Sequence, residues 1–162
     1  MRPAFVLILA LAACSKQPGK TTNPDGAGAK LEQAAIGAGI VADPATLDPV
    51  GAYASDSDRV CIVKVGDGYR IGASVDYGEQ QGCRARGTLT GRDALKIDFG
   101  DDCRTTATFD GERIVFAPTV APACERKCTG RATLAALTAP RLSGTATEAR
   151  AMRGADGDLL CN

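Results

Sequence analysis

The chain has 162 residues, of which 44% are apolar, and its 19 basic side chains balance its 19 acidic ones. This length predicts one domain, with room for a tail. Without a basic excess to neutralise phosphates, a nucleic-acid-binding protein is not expected. The chain contains no histidine, which excludes Ser-His-Asp and Cys-His catalysis and histidine-ligated zinc or haem.

The first fourteen residues have the pattern of a bacterial export signal. A basic start, Met1-Arg2-Pro3, precedes an unbroken apolar run over residues 4–13. A helix of that length rises about 15 Å, half of a hydrocarbon core, so the run predicts a signal peptide and not a membrane span. Leu11-Ala12-Ala13-Cys14 resembles the lipobox of bacterial prolipoproteins. The resemblance implies that residues 1–13 are removed and that Cys14 carries the lipid.

Lipidation of Cys14 implies a location in the cell envelope, because two or more acyl chains hold a protein stably on a membrane. In Gram-negative lipoproteins an Asp after the cysteine tends to retain the protein at the inner membrane. Ser15 stands at that position and implies the periplasmic side of the outer membrane. Residues 14–28 contain almost nothing to bury and predict a flexible tether with a root-mean-square reach of about 20 Å.

The remaining cysteines predict a disulfide framework. An even number of cysteines in an exported chain indicates disulfides, and one Cys-x-x-x-Cys spacing is a poor match to a zinc site built from paired Cys-x-x-Cys motifs. We therefore expect no metal and no other cofactor. The absence of Cys-x-x-Cys also argues against a thiol oxidoreductase. The disulfide candidates are Cys61, Cys83, Cys103, Cys124, Cys128 and Cys161.

A short helical pattern precedes the main domain. Leu31 and Ala35 lie four residues apart within residues 29–36, and Gly37 or Gly39 would end the helix. Proline-containing loops follow, so residues 29–49 are predicted to form a short helix and a loop.

From residue 50 onward the apolar period changes to two. Odd-numbered positions are apolar or small and even-numbered positions are mostly polar, which predicts strands with one buried face. Asp110-Gly111 is the strongest hairpin signal. Short strands joined by tight turns predict an antiparallel meander that closes into a small barrel or sandwich. The runs cover residues 61–65, 69–77, 83–89, 95–99, 103–109 and 112–116.

The segment after Pro118 has mixed signals. Residues 132–137 fit either a last strand or a helical turn, and the capping-box spacing from Thr145 to Glu148 predicts a short helix. Cys161 is well placed to tie down the C-terminus. The fold prediction is therefore mainly β: a small antiparallel barrel or sandwich over residues 50–162, with short flanking helices and disulfide staples.

One disulfide pairing follows from the turn between runs 83–89 and 95–99. If Gly91-Arg92 centres that turn, Cys83 lies opposite Gly100, and Cys103 shares its inward parity. A turn at Asp101-Asp102 would bring the two cysteines within bonding range. We therefore predict a Cys83–Cys103 disulfide. Cys61 is then left to pair with Cys124, Cys128 or Cys161.

Outward parity also places five basic side chains on one side of the predicted sheet. They would suit anionic lipid head groups or an acidic partner, although Asp76 and Asp98 share the parity and a mixed solvated face is the simpler interpretation. Asp101-Asp102 and Asp156-Gly157-Asp158 are interpreted as turn residues, since calcium needs six to eight oxygen ligands. The five basic residues are Arg70, Arg84, Arg86, Lys96 and Arg104.

The lipobox and the cysteine-rich β pattern resemble those of small uncharacterised bacterial envelope lipoproteins. The resemblance extends loosely to the C-type lysozyme inhibitors, which are lipoprotein-anchored β-barrels with a disulfide. The chain lacks that family's Ser-Gly-x-x-Tyr type loop and its tryptophan-bearing strand, so no inhibitory residue is carried over.

We therefore predict a lipid-anchored envelope protein of binding or structural type, with no catalytic residues. Its expected partners are the membrane, through the lipid anchor, and an envelope protein or ligand that the sequence does not identify. The alternatives are a periplasmic inhibitor of a host or envelope hydrolase and a hydrolase that works without histidine, through carboxylates alone or a Ser-Lys pair.

Overall fold

A computed structural model describes residues 26–162, and the chain divides between Val41 and Ala42 into two units. The first unit contains helix α1, Ala27–Gly37, which confirms the predicted helix. The helix begins at Ala27 and not at residue 29, so the tether prediction extended too far. The predicted signal peptide, Cys14 and the tether up to residue 25 lie outside the described residues.

Eight antiparallel strands of the second unit form a closed barrel. Each strand pairs with the next along the chain, and the last strand closes on the first. The mainly β prediction is confirmed, and the barrel alternative is the one observed. Closure removes the sheet edges at which another chain could add a strand. The strands are β1 (Gly51–Ala54), β2 (Asp58–Val65), β3 (Gly68–Asp76), β4 (Gly82–Thr90), β5 (Ala94–Asp98), β6 (Arg104–Phe109), β7 (Arg113–Phe116) and β8 (Thr138–Ser143).

The predicted hairpin at Asp110-Gly111 joins β6 to β7. The carboxylate of Asp110 accepts hydrogen bonds from the amides of Glu112 and Arg113 at 2.8 and 2.9 Å. Gly111 has a φ angle of 102°, a conformation that glycine adopts without a steric penalty. Local chemistry therefore fixes this turn, as the sequence indicated.

The barrel interior is filled by apolar side chains. Ile62 of β2 lies directly opposite Ile71 of β3, and the rings of Phe99 and Phe116 stack with centroids 6.4 Å apart. Burial of one such side chain is worth about 1.5–3 kcal/mol. The interior is thus a packed core, as in other small barrels. The largest buried side chains of this core include Tyr53, Ile62, Ile71, Leu89, Leu95, Ile114, Phe116 and Leu134.

Strand β2 buries both of its faces, which simple alternation did not predict. Ile62 belongs to the barrel core, whereas Cys61 and Val63 form a second apolar cluster with Leu160. The C-terminal segment therefore covers part of the outer surface of the barrel. Gly72, opposite Cys61 on β3, makes this possible, because a Cβ atom there would collide with the carbonyl group of Leu160.

Helix α2, Ala146–Ala151, leads from β8 into this C-terminal segment. The hydroxyl of Thr145 accepts a hydrogen bond from the amide of Glu148 at 3.3 Å, and it lies 3.2 Å from the Glu148 carboxylate. The short helix and its N-cap at Thr145 are confirmed. The reciprocal bond of a capping box is not formed, because the amide of Thr145 donates to the hydroxyl of Ser143 at 3.1 Å.

Two strands, β1 and β8, were not predicted from the sequence. Residues 132–137 form an irregular turn, and the last strand is β8, which follows them. Pro140 lies within β8, opposite Arg113, and proline argues against a strand because it cannot donate a ladder hydrogen bond. Strand β1 is only four residues long and gives no clear alternation.

The three disulfides confirm the framework but correct one predicted pair. Thr88 of β4 lies opposite Asp98 of β5, not opposite Leu95 as a Gly91-Arg92 turn centre required. The ladder between these strands ends there, so Cys83 lies beyond it and forms an isolated bridge with Cys128. The predicted Cys83–Cys103 disulfide is therefore wrong, and Cys61 does pair with a C-terminal cysteine. The pairs are Cys61–Cys161, Cys83–Cys128 and Cys103–Cys124.

Candidate interaction surface

The turn between β3 and β4, residues 77–81, carries an exposed aromatic side chain. The Tyr77 side chain is 54% exposed, whereas the other aromatic residues in the described part of the chain are buried or half-buried. The alternating pattern, in which odd-numbered positions are buried, had predicted that Tyr77 points inward. That prediction is wrong because β3 ends at Asp76 and the chain leaves the sheet one residue later.

Three hydrogen bonds close this turn. The amide of Tyr77 donates to the carbonyl oxygen of Gln81 at 2.8 Å, and the amide of Gln81 donates to the carbonyl oxygen of Gly78 at 2.8 Å. The carboxylate of Asp76 accepts a third bond from the amide of Gly78 at 3.0 Å. The backbone on both sides of Tyr77 is therefore fixed.

The tip of the turn has an unfavourable backbone conformation. Glu79 and Gln80 have φ angles of 49° and 63°, in the left-handed region that costs a side-chain-bearing residue about 1–2 kcal/mol. Such a conformation persists when the surrounding structure holds it in place. The support comes from the loop between β7 and β8.

Thr129 supplies that support from across the barrel surface. Its hydroxyl donates a hydrogen bond to the carbonyl oxygen of Gln80 at 2.6 Å and accepts one from the amide of Gly82 at 3.2 Å. Its own amide donates to the carbonyl oxygen of Gly82 at 2.8 Å. The neighbouring Cys83–Cys128 disulfide links the two segments covalently.

A groove of about 520 Å³ lies beside the turn. One wall comes from the turn itself and the other from Thr129 and the C-terminal segment. The groove is open to solvent at its acidic end, where Asp76 is exposed. We call Tyr77, its turn and this groove the Tyr77 surface. The groove is lined by Asp76, Gln80, Gln81, Gly82, Thr129, Ala155 and Asp156.

The turn and its flank carry negative charge. Asp76 and Glu79 are both exposed, and residues 76–82 include no basic side chain. The nearest cations are engaged elsewhere: Lys127 pairs with Asp101 at 2.6 Å. The Tyr77 surface thus combines an exposed aromatic ring with an acidic edge.

Two of the five predicted surface cations hold the C-terminal segment. Arg84 forms ion pairs with Asp156 and with Asp158, the latter at 3.3 Å. Arg86 donates a hydrogen bond to the carbonyl oxygen of Leu159. Both side chains point outward from the sheet, as predicted, but the segment that they bind belongs to this chain and not to a partner.

The other three predicted cations remain on the open outer surface. Arg104 pairs with Asp98 at 2.9 Å, and the hydrogen bond from Arg104 holds the pKa of the Asp98 carboxyl below its usual range. Neither Arg70 nor Lys96 takes part in an ion pair within residues 26–162. A shallow depression of about 430 Å³ lies around Lys96, between threonines of β4 and β6.

The acid pairs are turn residues, as interpreted from the sequence. Asp101 forms part of the β5–β6 turn with a φ angle of 51°. Its carboxylate accepts a hydrogen bond from Lys127, which lowers the pKa of Asp101. Arg126 donates to its carbonyl oxygen at 2.7 Å. Together with Cys103–Cys124, these contacts fix the 3₁₀ helix Pro122–Lys127 to the turn.

Arg141 closes one end of the barrel. Its guanidinium donates to the carbonyl oxygens of Asp48, Val50 and Gly111 at 2.6–3.2 Å, and it lies 5.1 Å from the ring centroid of Phe109. The ring of Tyr53 meets Phe109 edge-on at 5.9 Å. Burial raises the pKa of Tyr53 well above its ordinary value. These contacts make Arg141 a structural cation.

Sequence patterns did not indicate Tyr77 or Thr129 as site residues. The usable signal for Tyr77 was its place directly before Gly78, where a strand run meets a turn. For Thr129 there was no such signal, because its contacts with Gln80 and Gly82 span 49 and 47 positions along the chain.

The fold and the site define a disulfide-linked, eight-stranded meander barrel that presents a tyrosine on a braced turn. In residues 26–162, no group of three or more His, Cys, Asp or Glu side chains is arranged to hold a metal ion. No helix of this part of the chain is long and apolar enough to cross a membrane. The chain matches no protein-family model, no curated protein and no solved structure.

Proposed function

We propose that the chain is an exported lipoprotein of the bacterial envelope that binds a protein partner through the Tyr77 surface. The complete pairing of six cysteines carries the proposal. Disulfides form and persist in oxidising compartments outside the cytosol. Because those six cysteines bond to one another, the chain offers no cysteine to Cys14. The Cys14 sulfur is thus available for the lipid that its lipobox implies.

The packed interior favours recognition on the outside of the barrel. Phe99, Phe116 and Leu134 are buried in the space where larger barrels hold a ligand. Binding therefore uses outer surfaces and turns, and the Tyr77 surface has the features of a recognition site. Tyrosine is enriched among the residues that dominate protein interfaces, and a fixed backbone lowers the entropic cost of association.

The charge of the Tyr77 surface defines the kind of partner. Asp76 and Glu79 flank the exposed ring, so a partner with a basic rim around an apolar pocket is complementary. We infer a folded protein with such a cleft, in or facing the periplasm. Ser15 supports an outer-membrane location for the anchor.

The anchor is tested by metabolic labelling with an alkyne analogue of palmitate. Wild-type chain should be labelled and fractionate with membranes, whereas Cys14→Ser should lose the label and the membrane association. The double variant Cys83→Ser/Cys128→Ser is the matched control, because it removes two sulfurs that the structure pairs, and its label should persist. Equal labelling of Cys14→Ser and wild type would overturn the proposal.

Substitutions of Ser15, which directly follows Cys14, test separately whether the protein is located at the outer or the inner membrane. Ser15→Asp should move the labelled protein from outer-membrane to inner-membrane fractions on a density gradient. Ser15→Ala is the control and should leave the distribution unchanged. An unchanged distribution of Ser15→Asp would contradict the outer-membrane location while leaving the lipid anchor intact.

A second candidate function is inhibition of a host or envelope hydrolase. The braced tip at Glu79 and Gln80 favours it, since a rigid protruding turn with a neighbouring aromatic ring can block a cleft without reorganising. Purified chain should then inhibit one member of a panel of periplasmic and cell-wall hydrolases, and Tyr77→Ser should weaken that inhibition. Inhibition that survives Tyr77→Ser would contradict this role for the surface.

A further inference from the structure

The three disulfides differ in how well they are shielded. Both cysteines of Cys61–Cys161 and of Cys103–Cys124 are buried. Cys128 is the one half-buried cysteine in residues 26–162, and its partner Cys83 lines an open cavity of about 310 Å³. A thiol reagent of small size therefore has a path to this disulfide.

The cavity is also suited to thiolate chemistry. Its walls include Arg84 and Lys127, which directly neighbour Cys83 and Cys128 in the chain, together with Asp156. Arg84 pairs with Asp156, which also lines the cavity, whereas Lys127 pairs at 2.6 Å with Asp101, which does not. The Lys127 ammonium therefore lies in the cavity wall while its carboxylate partner lies outside it. Positive charge stabilises a thiolate, both as the attacking group and as the leaving group.

We propose that Cys83–Cys128 is a thiol–disulfide exchange site whose reductant is a protein or small-molecule dithiol. One thiolate of the dithiol attacks a sulfur of the disulfide, and the other sulfur leaves as a thiolate. The second thiol of the reductant then attacks the resulting mixed disulfide. The reductant departs as its own disulfide, and two electrons and two protons remain on Cys83 and Cys128 as two thiols.

The structural effect of this exchange is local. Cys103–Cys124 still ties the 3₁₀ helix to the barrel four residues before Cys128, so the barrel itself stays closed. The released segment contains Thr129, whose hydrogen bonds hold Gln80 and Gly82. Reduction therefore loosens the turn that carries Tyr77. The exchange itself does not depend on the proposed function, but its effect on partner binding does.

The test is limited reduction of the native mature chain. The chain is exposed to dithiothreitol for increasing times without denaturant, quenched with acid, alkylated, and mapped by peptide mass spectrometry. We expect Cys83 and Cys128 to be alkylated at least tenfold faster than the other four cysteines. Earlier reduction of another pair, or simultaneous reduction of all three, would overturn the proposal.

Substitutions at two positions separate the effect of access from the effect of charge. Thr129→Val keeps the disulfide but removes the hydroxyl brace, and it should speed exchange at Cys83–Cys128 by a few fold. Lys127→Gln should slow exchange by a few fold, and Lys127→Arg should restore it. If Lys127→Gln reacts as fast as wild type, the assigned role of the cation is wrong. Because all these rates are measured without a partner, failure of the proposed binding function would leave them unchanged.

Discussion

The hydroxyl of Thr129 donates a hydrogen bond to the carbonyl oxygen of Gln80, 2.6 Å away and 49 positions earlier in the chain. Thr129 directly follows Cys128, whose disulfide to Cys83 joins the same two segments. A covalent link and a short hydrogen bond thus act side by side on one turn. The backbone that carries Tyr77 is therefore held both by this hydrogen bond and by the disulfide.

Replacing Thr129 by valine should loosen the turn while preserving the shape of the side chain. The carbonyl of Gln80 and the amide of Gly82 would lose their partner, which costs about 1 kcal/mol of unfolding free energy. Urea denaturation measures this loss, and amide hydrogen exchange should accelerate at Gln81. Thr108→Val, on the exposed outer side of β6, is the control and should change neither. If both substitutions changed the unfolding free energy and the amide exchange equally, the proposed role of the Thr129 hydroxyl in holding the turn would be wrong.

Gly72 should not tolerate a side chain, because the carbonyl group of Leu160 occupies the place of its Cβ. Gly72→Ala should lower the free energy of unfolding by about 1–3 kcal/mol, the usual cost of overpacking, and should expose the C-terminal segment to proteases. Gly68→Ala lies in the same strand with no atom within 4 Å of the added Cβ. It is the matched control and should remain close to wild type in both assays.

Arg141 should be irreplaceable by lysine at the closed end of the barrel. A lysine ammonium cannot reach three carbonyl oxygens in a fixed plane or stack over Phe109 as a guanidinium does. Arg141→Lys should therefore cost about 3 kcal/mol, from hydrogen bonds to a charged donor. Thermal and urea unfolding measure it. Arg113→Lys, at an exposed position, is the control, and a similar loss there would refute the assignment.

Asp101 should make stability depend on pH in the acid range. Its pKa is lowered in the folded chain by the hydrogen bond and charge of Lys127, so its contribution is present above the unfolded pKa of about 3.9. The contribution is lost as pH falls through the lower folded pKa. Asp101→Asn should thus be less stable than wild type at pH 7, and the difference should disappear once the pH has fallen below the folded pKa of Asp101.

Asp102→Asn is the control for that experiment. Asp102 has a left-handed φ angle of 64°, similar to that of Asp101, but it forms no ion pair in the described residues. Its substitution should leave the pH dependence of unfolding unchanged. A pH-independent difference between Asp101→Asn and wild type would show that Lys127 is not the cause.

The sequence predicted those features that depend on neighbouring residues. Asp110-Gly111 builds its own turn through contacts that span two and three positions, and Thr145 caps α2 through Glu148. Alternation over residues 69–75 predicted β3 because Ile71, Ala73 and Val75 belong to the barrel core. It did not predict that Gly72 and Ser74, on the other face, are also buried, because the C-terminal segment covers them.

Features that depend on contacts between distant segments of the chain could not be predicted from the sequence in this way. Cys61 and Val63 looked inward because they are apolar, but the C-terminal segment buries them on the outer surface. Arg84 and Arg86 looked like free surface cations because their partners lie more than 70 positions later. The β4–β5 register, and with it the predicted Cys83–Cys103 pair, depended on one turn whose centre the sequence did not fix.

The most direct test of the Tyr77 surface is site-specific crosslinking in intact cells. A photoreactive phenylalanine analogue replaces Tyr77, and in a matched strain it replaces Thr108. We predict one discrete protein adduct from position 77, weakened by Thr129→Val and lost with Cys14→Ser, and no such adduct from position 108. The same adducts from both positions, or none from position 77, would contradict the account.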